Sequence, residues 1–254
     1  METKPVWVEE IRIKASETDF QHKWKPAYIL QALLEAAGNH ANYHGFGRFA
    51  YGMLDQDIAW VLSRLKIRFY GFPGMEDPVI IQTWLKGTPG EQKIFFMRDF
   101  KLARPAGRPV AVASYAWLVI NLKTRRLLPP HSLGMTFPYK YDMVGLEEPL
   151  EKINVPDNLP ERMTLAANYS SIDVLGHVTS TRYVEWISDC FSLDDYRSRS
   201  LDWLQVNYVN EIKPGERLVL SAGPDPTNPS NWLVQGANLN SGGRAFEAAL
   251  GWKA

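Results

Sequence analysis

The 254-residue chain carries 28 Lys plus Arg against 28 Asp plus Glu, a formal net charge of zero, with 45% apolar and 22% charged residues. Such a composition supplies a core and excludes a disordered chain, and it offers no global field to attract nucleic acid. Cys190 is the only cysteine, which excludes an internal disulfide framework and a cysteine-rich metal site.

In chain order, "VWVEEIRIKA" (6–15) alternates as a strand and "SETDFQHKWKP" (16–26) is a polar connection. "AYILQALLEAAGNHANYHG" (27–45) follows with an apolar helical face, and Pro26 suits its first turn. Four strand-like runs come next, at 58–71, 77–87, 92–104 and 109–122, separated by Gly/Pro/Asp punctuation. Residues 129–161 carry six prolines and no period, a linker composition. The pattern then restarts: a strand at 162–170, a helix at 177–191, and strands at 201–213, 216–223, 231–239 and 243–254.

Both halves thus read strand, loop, one buried helix, then antiparallel strands. "FYGFPGMEDPVII" and "NEIKPGERLVL" repeat a strand ending in a Pro-Gly turn. This predicts an internal duplication of an α+β unit in which a curved antiparallel sheet wraps one long helix, a double (tandem) hotdog. The expected division is 1–130, a linker at 131–160, and 161–254. No secretory signal opens "METKPVWVEEIRIKASE" and no apolar run reaches about 18 residues, so a cytoplasmic protein without a membrane span is expected.

The chain resembles the acyl-acyl carrier protein thioesterases. In the first half the resemblance rests on "LLEAAGNHANYHG", "AWVLSRLKI", "TWLKG", "FMRDFKLA" and "ASYAWLVINLKTRRLLPP". In the second it rests on "DVLGHVTSTRYVEWI" and "VNYVNEIKPGE". The resemblance implies hydrolysis of the thioester between a fatty acyl chain and the carrier's phosphopantetheine arm. It also implies an N-terminal half that holds the acyl chain and a C-terminal half that carries catalysis. The family's motif is an Asp, an Asn two residues on, a His two further, and a Glu on the next strand. Asp173, His177 and Glu211 match, the Glu lying 34 residues after the His. Leu175 stands where the Asn belongs, and Ile212 where plant members have a Cys after the Glu.

With no cysteine at that position, water is the expected nucleophile, activated by Glu211 as general base with His177 sharing its proton. Asp173 is expected either to orient the imidazole or to serve as a turn or cap residue. The backbone N–H groups of Val178 and Thr179, near the helix start, are candidate oxyanion donors, and Asn207 or Asn168 could stand in for the missing Asn. In the first half Asp19 opens a similar loop, with His22 three residues on and Tyr70 at the place of Glu211, so one active site per chain is expected.

Candidates for lining an acyl tunnel are Leu33, Ala36 and Ala37 on the first helix, with Trp60 and Leu62 on the next strand. Arg64, Lys66 and Arg68 share one strand face and, with Arg182, are candidates for docking an acidic carrier protein. His40 and His44 have metal-ligand spacing, but no HExxH or further Cys/His cluster accompanies them, so neither a metal nor a cofactor is expected. Acyl carrier protein is the expected partner, and the chain is expected to be a monomer or homodimer. The rival activities are an acyl-CoA thioesterase on the same fold and a catalytically weak acyl-binding protein.

Overall fold

The structure, a computed structural model, describes residues 4–47, 57–87, 94–134 and 136–253. It divides into two compact units, Met1–Leu150 and Glu151–Ala254. Unit 1 holds β1 (Val6–Arg12), α1 (Pro26–Tyr43), β2 (Ile58–Phe69), β3 (Pro78–Lys86), β4 (Phe96–Ala103), β5 (Pro109–Asn121) and the short β6 (Tyr139–Lys140). Unit 2 holds β7 (Glu161–Ala166), α2 (Ser180–Asp189), α3 (Leu193–Ser198), β8 (Ser200–Tyr208), β9 (Arg217–Pro224), β10 (Asn231–Asn238) and β11 (Arg244–Lys253). The antiparallel order in unit 1 is β1-β3-β4-β5-β2, and in unit 2 it is β7-β9-β10-β11-β8, so the units repeat strand for strand. Every expected strand and both expected helices are present; residues 92–93, the expected start of the fourth run, lie outside the described residues.

Besides short 3-10 turns, one α-helix and one strand went unread in the sequence. The first is α3, although Ser192 and Asp195 form the capping box that starts it: Ser192 N–H donates to the Asp195 carboxylate at 2.9 Å and Asp195 N–H to Ser192 Oγ at 3.2 Å. The second is β6, which pairs in parallel with β3 at Leu85–Tyr139 and carries no pattern of its own.

In unit 1, α1 starts at Pro26 and packs on β1 and β3 through Ile29, Leu33, Ala36 and His40. Strand alternation in β4 sends neighbouring buried charges to opposite faces. On the helix side, Arg98 donates to His40 Nδ1 at 2.9 Å and to Thr83 Oγ1 at 3.3 Å, while His40 Nε2 donates to Lys4 O at 2.8 Å. Burial holds the His40 imidazole down at about 3, with the Arg98 charge adding to it, and burial lowers Arg98 to about 9. On the other face, fully buried Asp99 accepts from Ser114 Oγ, from Gly145 N–H at 2.8 Å and from Lys86 Nζ at 3.2 Å.

Within the expected linker, residues 143–150 form a packed strap. Trp84 donates to Met143 O at 3.2 Å, Lys86 to Leu146 O at 3.1 Å and Arg64 to Leu150 O at 2.8 Å. A Cβ at Gly145 would stand 2.8 Å from Phe100 O, so glycine permits this close approach. In unit 2, residues 151–155 cover the sheet in the same way: Ile153 and Val155 pack with Leu233 and Ala249, and Gln205 donates to Glu151 O at 2.6 Å. Backbone carbonyls along the strap satisfy the polar side chains of the sheet face beneath, which is what lets those groups be buried.

His40 makes stability depend on pH. The unfolded chain takes up its proton near pH 6.5 and the native state only near 3, so stability falls as pH drops below 6.5 and gains nothing above it. A loss of about 1–2 kcal/mol is expected between pH 6.5 and 5, from one proton linked. Urea midpoints at a series of pH values check this: His40→Gln should be less stable at pH 7.5 yet show a flatter slope between pH 6.5 and 5.

Candidate active site

The loop before α2 is built from backbone hydrogen bonds. A 3-10 turn at Tyr169–Ser171 leads into Asp173, whose N–H donates to His177 O at 2.8 Å, while Gly176 N–H returns to Asp173 O at 2.9 Å. Gly176 sits at φ +78°, a left-handed conformation that glycine adopts without strain. The Asp173 carboxylate accepts the Leu175 N–H at 2.8 Å, an Asx turn. Val178 N–H then donates to Ile212 O at 3.1 Å and Thr179 N–H to Ser171 O at 2.9 Å.

His177 and Glu211 each stand one residue before the Val178–Ile212 bond and are thereby brought together. His177 Nε2 lies 3.3 Å from Glu211 Oε2, and about a third of each side chain is exposed (31% and 37%). Glu211 lies in the turn after β8 ends at Tyr208, not on the strand itself.

Unit 1 repeats this frame bond for bond. Asp19 N–H donates to Lys23 O at 2.9 Å, His22 N–H to Asp19 O at 3.0 Å, Gln21 N–H to the Asp19 carboxylate at 2.8 Å and Trp24 N–H to Pro73 O at 2.8 Å. In the turns, Tyr70 and Gly71 donate to Val110 O as Val209 and Asn210 donate to Ala245 O. Lys23 therefore occupies the place of His177, and Phe72 that of Glu211. This corrects the expected correspondences: His22 matches Gly176, with φ +62° against +78°, and Tyr70 matches Val209. Counting from the Pro-Gly turn misplaces them, because Pro73 matches Ile212 and not Pro214.

Residues 4–130 match the acyl-ACP thioesterase N-terminal domain and residues 156–252 the acyl-ACP thioesterase C-terminal domain. The chain belongs to the acyl-ACP thioesterase family. Among solved structures it is similar to an acyl-ACP thioesterase from Bacteroides thetaiotaomicron, with TM-score 0.87, 27% identity and 98% of both chains covered. The 12:0-ACP thioesterase of Umbellularia californica shares the fold, with TM-score 0.76 and 19% identity over 100% of this chain and 99% of that one. The chloroplastic oleoyl-acyl carrier protein thioesterase of Coriandrum sativum is 24% identical over 206 residues, covering 73% of this chain and 53% of the relative. The chain spans about half the length of the curated plant relatives it matches. The tandem hotdog expected from the sequence is the fold of this thioesterase family, and the chain shares it.

Within that family frame several candidates change role. The N–H groups of Val178 and Thr179 are already donated to Ile212 and Ser171, so neither is free for an oxyanion. Asn207 is buried and donates to Glu151 O at 3.3 Å under the strap, and Asn168 is exposed ahead of the 3-10 turn; neither is seen to replace the family Asn at Leu175. Leu175 itself is 39% exposed at the loop tip.

The docking candidates each have a partner within their own unit. Glu148 of the strap pairs with Lys66 at 2.7 Å and with Arg68 at 2.6 Å, Arg64 is held by Leu150 O, and Arg182 is held by Glu185 and by Ser170 O at 2.8 Å. A strand face rich in cations reads as exposed in the sequence; here a distant segment covers it.

Leu33 and Ala36 are fully buried on α1 with Ala37 beside them, and Leu62 is buried on β2. Trp60 donates to Phe46 O at 3.0 Å and packs its ring on Phe96 at 4.7 Å. His40 and His44 both direct Nε2 at Lys4 O, at 2.8 and 2.9 Å, and no metal-ligand cluster occurs among the described residues.

Cys190 caps the end of α2, where its thiol donates to Trp186 O at 3.4 Å, and burial pushes its pKa up to about 12. A thiol held protonated and inside the core is no nucleophile. Cys190→Ala should keep kcat within about twofold, and a thiol-alkylating reagent should leave native enzyme active; loss of turnover in either experiment would overturn this placement.

Proposed function

We propose that the protein hydrolyses the thioester of fatty acyl-acyl carrier protein, releasing free fatty acid and carrier protein, with water activated at His177 and Glu211. The observation that carries this reading is their 3.3 Å contact in a chain of the acyl-ACP thioesterase family. Both side chains are partly exposed, so a water held against the pair has access to a thioester carbonyl. Glu211 is the general base and the imidazole positions the water and shares its proton.

Asp173 acts as a positioning residue. Its carboxylate accepts a loop N–H in the same way as Asp19 does in unit 1, where Lys23 and Phe72 leave no such pair, so the aspartate tracks the loop shape rather than the chemistry. The oxyanion donors are then the first N–H groups inside α2, those of Ser180 and Thr181, which have no acceptor within a helix. Buried Leu33, Ala36, Ala37 and Leu62, with half-buried Trp60, are the candidate wall for the acyl chain.

Turnover of acyl-ACP and of acyl-CoA of matched chain lengths tests the reading. The parent should prefer the carrier-protein substrate, and Glu211→Gln and His177→Ala should each lower kcat by about 100-fold or more. Retention of more than half the activity by either variant sinks the assignment, and equal turnover of the CoA esters points to the acyl-CoA reading instead.

Unit 1 also shows what a polar side chain at the loop tip can reach. Gln21, at the place of Leu175, accepts from Lys23 Nζ at 3.2 Å, the side chain at the place of His177. Leu175→Asn should therefore supply a hydrogen bond toward the imidazole and raise kcat about fivefold, the worth of a bond of about 1 kcal/mol. No change in turnover would show that this position is catalytically silent.

A further inference from the structure

We infer that Tyr208 is a positioning residue of the candidate active site: its hydroxyl ties the turn that carries Glu211 to the start of α2, and so holds the carboxylate against His177. This rests on the hydrolytic reading of the His177–Glu211 pair.

Tyr208 is the last residue of β8, and strand alternation sets it on the face of buried Leu204 and Val206, opposite Gln205 and Asn207 under the strap. Its hydroxyl donates to Ser180 O, at the first residue of α2, over 3.0 Å. The ring meets buried Tyr183 of the same helix edge-on, with centroids 5.2 Å apart. A helix carbonyl has two lone pairs and the helix itself uses one, so this bond adds to α2 without being needed to form it. Glu211 stands three residues after Tyr208, and the next residue, Ile212, accepts the Val178 N–H at 3.1 Å. The turn is therefore tied to the segment His177–Ser180 on both sides of Glu211. One hydrogen bond alone is a pivot about which the turn can rotate, and a second at the other end removes that freedom. A carboxylate about a third exposed and 3.3 Å from its partner owes its register to such a double tie.

Unit 1 provides the internal comparison. By the same loop matches Tyr208 corresponds to Phe69 and Ser180 to Pro26, and each again ends its strand or starts its helix. The backbone frame persists there, with Trp24 N–H on Pro73 O and the Tyr70 and Gly71 N–H groups on Val110 O. Phe69 has no hydroxyl; its ring stacks on Phe72, at the place of Glu211, with centroids 5.1 Å apart and planes 28° from parallel. An apolar turn is thus steadied by ring against ring. A charged Glu211 cannot be held by that contact, and the hydroxyl bond to α2 stands in its place. Fully buried Phe69 fills the site in unit 1, so the ring alone suffices for the fold and the hydroxyl serves the pair.

Four variants of the full chain test the inference with the acyl-ACP substrate that the parent turns over fastest: Tyr208→Phe, Glu211→Gln, the double variant, and Tyr196→Phe as control. Tyr196 likewise donates to a carbonyl of α2, Ser188 O at 3.0 Å, but in the last turn of the helix. Tyr208→Phe should lower kcat about 10- to 100-fold, the scale of a small misplacement, with KM within twofold. Tyr196→Phe should leave kcat within twofold, and adding Tyr208→Phe to Glu211→Gln should cost no further activity. Three results overturn the inference: Tyr208→Phe at parental kcat, equal losses in Tyr208→Phe and Tyr196→Phe tracking their melting temperatures, or undiminished losses in the double variant. An active Glu211→Gln would remove the hydrolytic reading and this inference with it, whereas an inactive Glu211→Gln beside a fully active Tyr208→Phe would remove this inference alone.

Discussion

One backbone hydrogen bond organises the site: Val178 N–H to Ile212 O at 3.1 Å. It ties the loop before α2 to the turn after β8, and the residues just before its two ends are His177 and Glu211. Neither side chain needs a long-range attraction to find the other, because the main chain brings them within 3.3 Å. The same bond in unit 1, from Trp24 to Pro73, is flanked by Lys23 and Phe72 instead. A frame made of main-chain donors and acceptors tolerates either pair, so duplication could keep the fold while changing what the loop carries.

The strap shows a second constraint. Alternation in a strand whose two faces are both covered leaves polar groups under the cover, and each needs a partner. Asp99, Lys86, Lys66, Arg68 and Arg64 find theirs in residues 145–150, and Gln205 finds its partner at Glu151. A proline-rich, aperiodic segment suits this task because its carbonyls are not committed to a helix or sheet. Arg64, Lys66 and Arg68 are thereby bound up with the cover of unit 1.

Much of this was legible from residues alone. Apolar periods of 2 and 3.6 marked the strands and helices to within a few residues, since burial on one face is a local property of the pattern. The repeat was visible because both units solve the same packing problem in the same order. Asp173, His177 and Glu211 were reached through the family resemblance, and Leu175 and Ile212 through the departures from it. The capping box of α3 was present as "SLDD" and was overlooked, whereas β6 had no signal to read.

What the chain's letters determined is therefore the set of elements, their duplication and the identity of the candidate site residues. Only the tertiary structure decided how each donor and acceptor was paired. It gave the Val178 and Thr179 N–H groups to Ile212 and Ser171, and it put Lys23 and Phe72 at the places in unit 1 that His177 and Glu211 hold in unit 2. Patterning reports which way a side chain faces, from its own neighbours in sequence. A hydrogen bond has two ends, and here the second often lies tens of residues away, at a position that folding alone specifies.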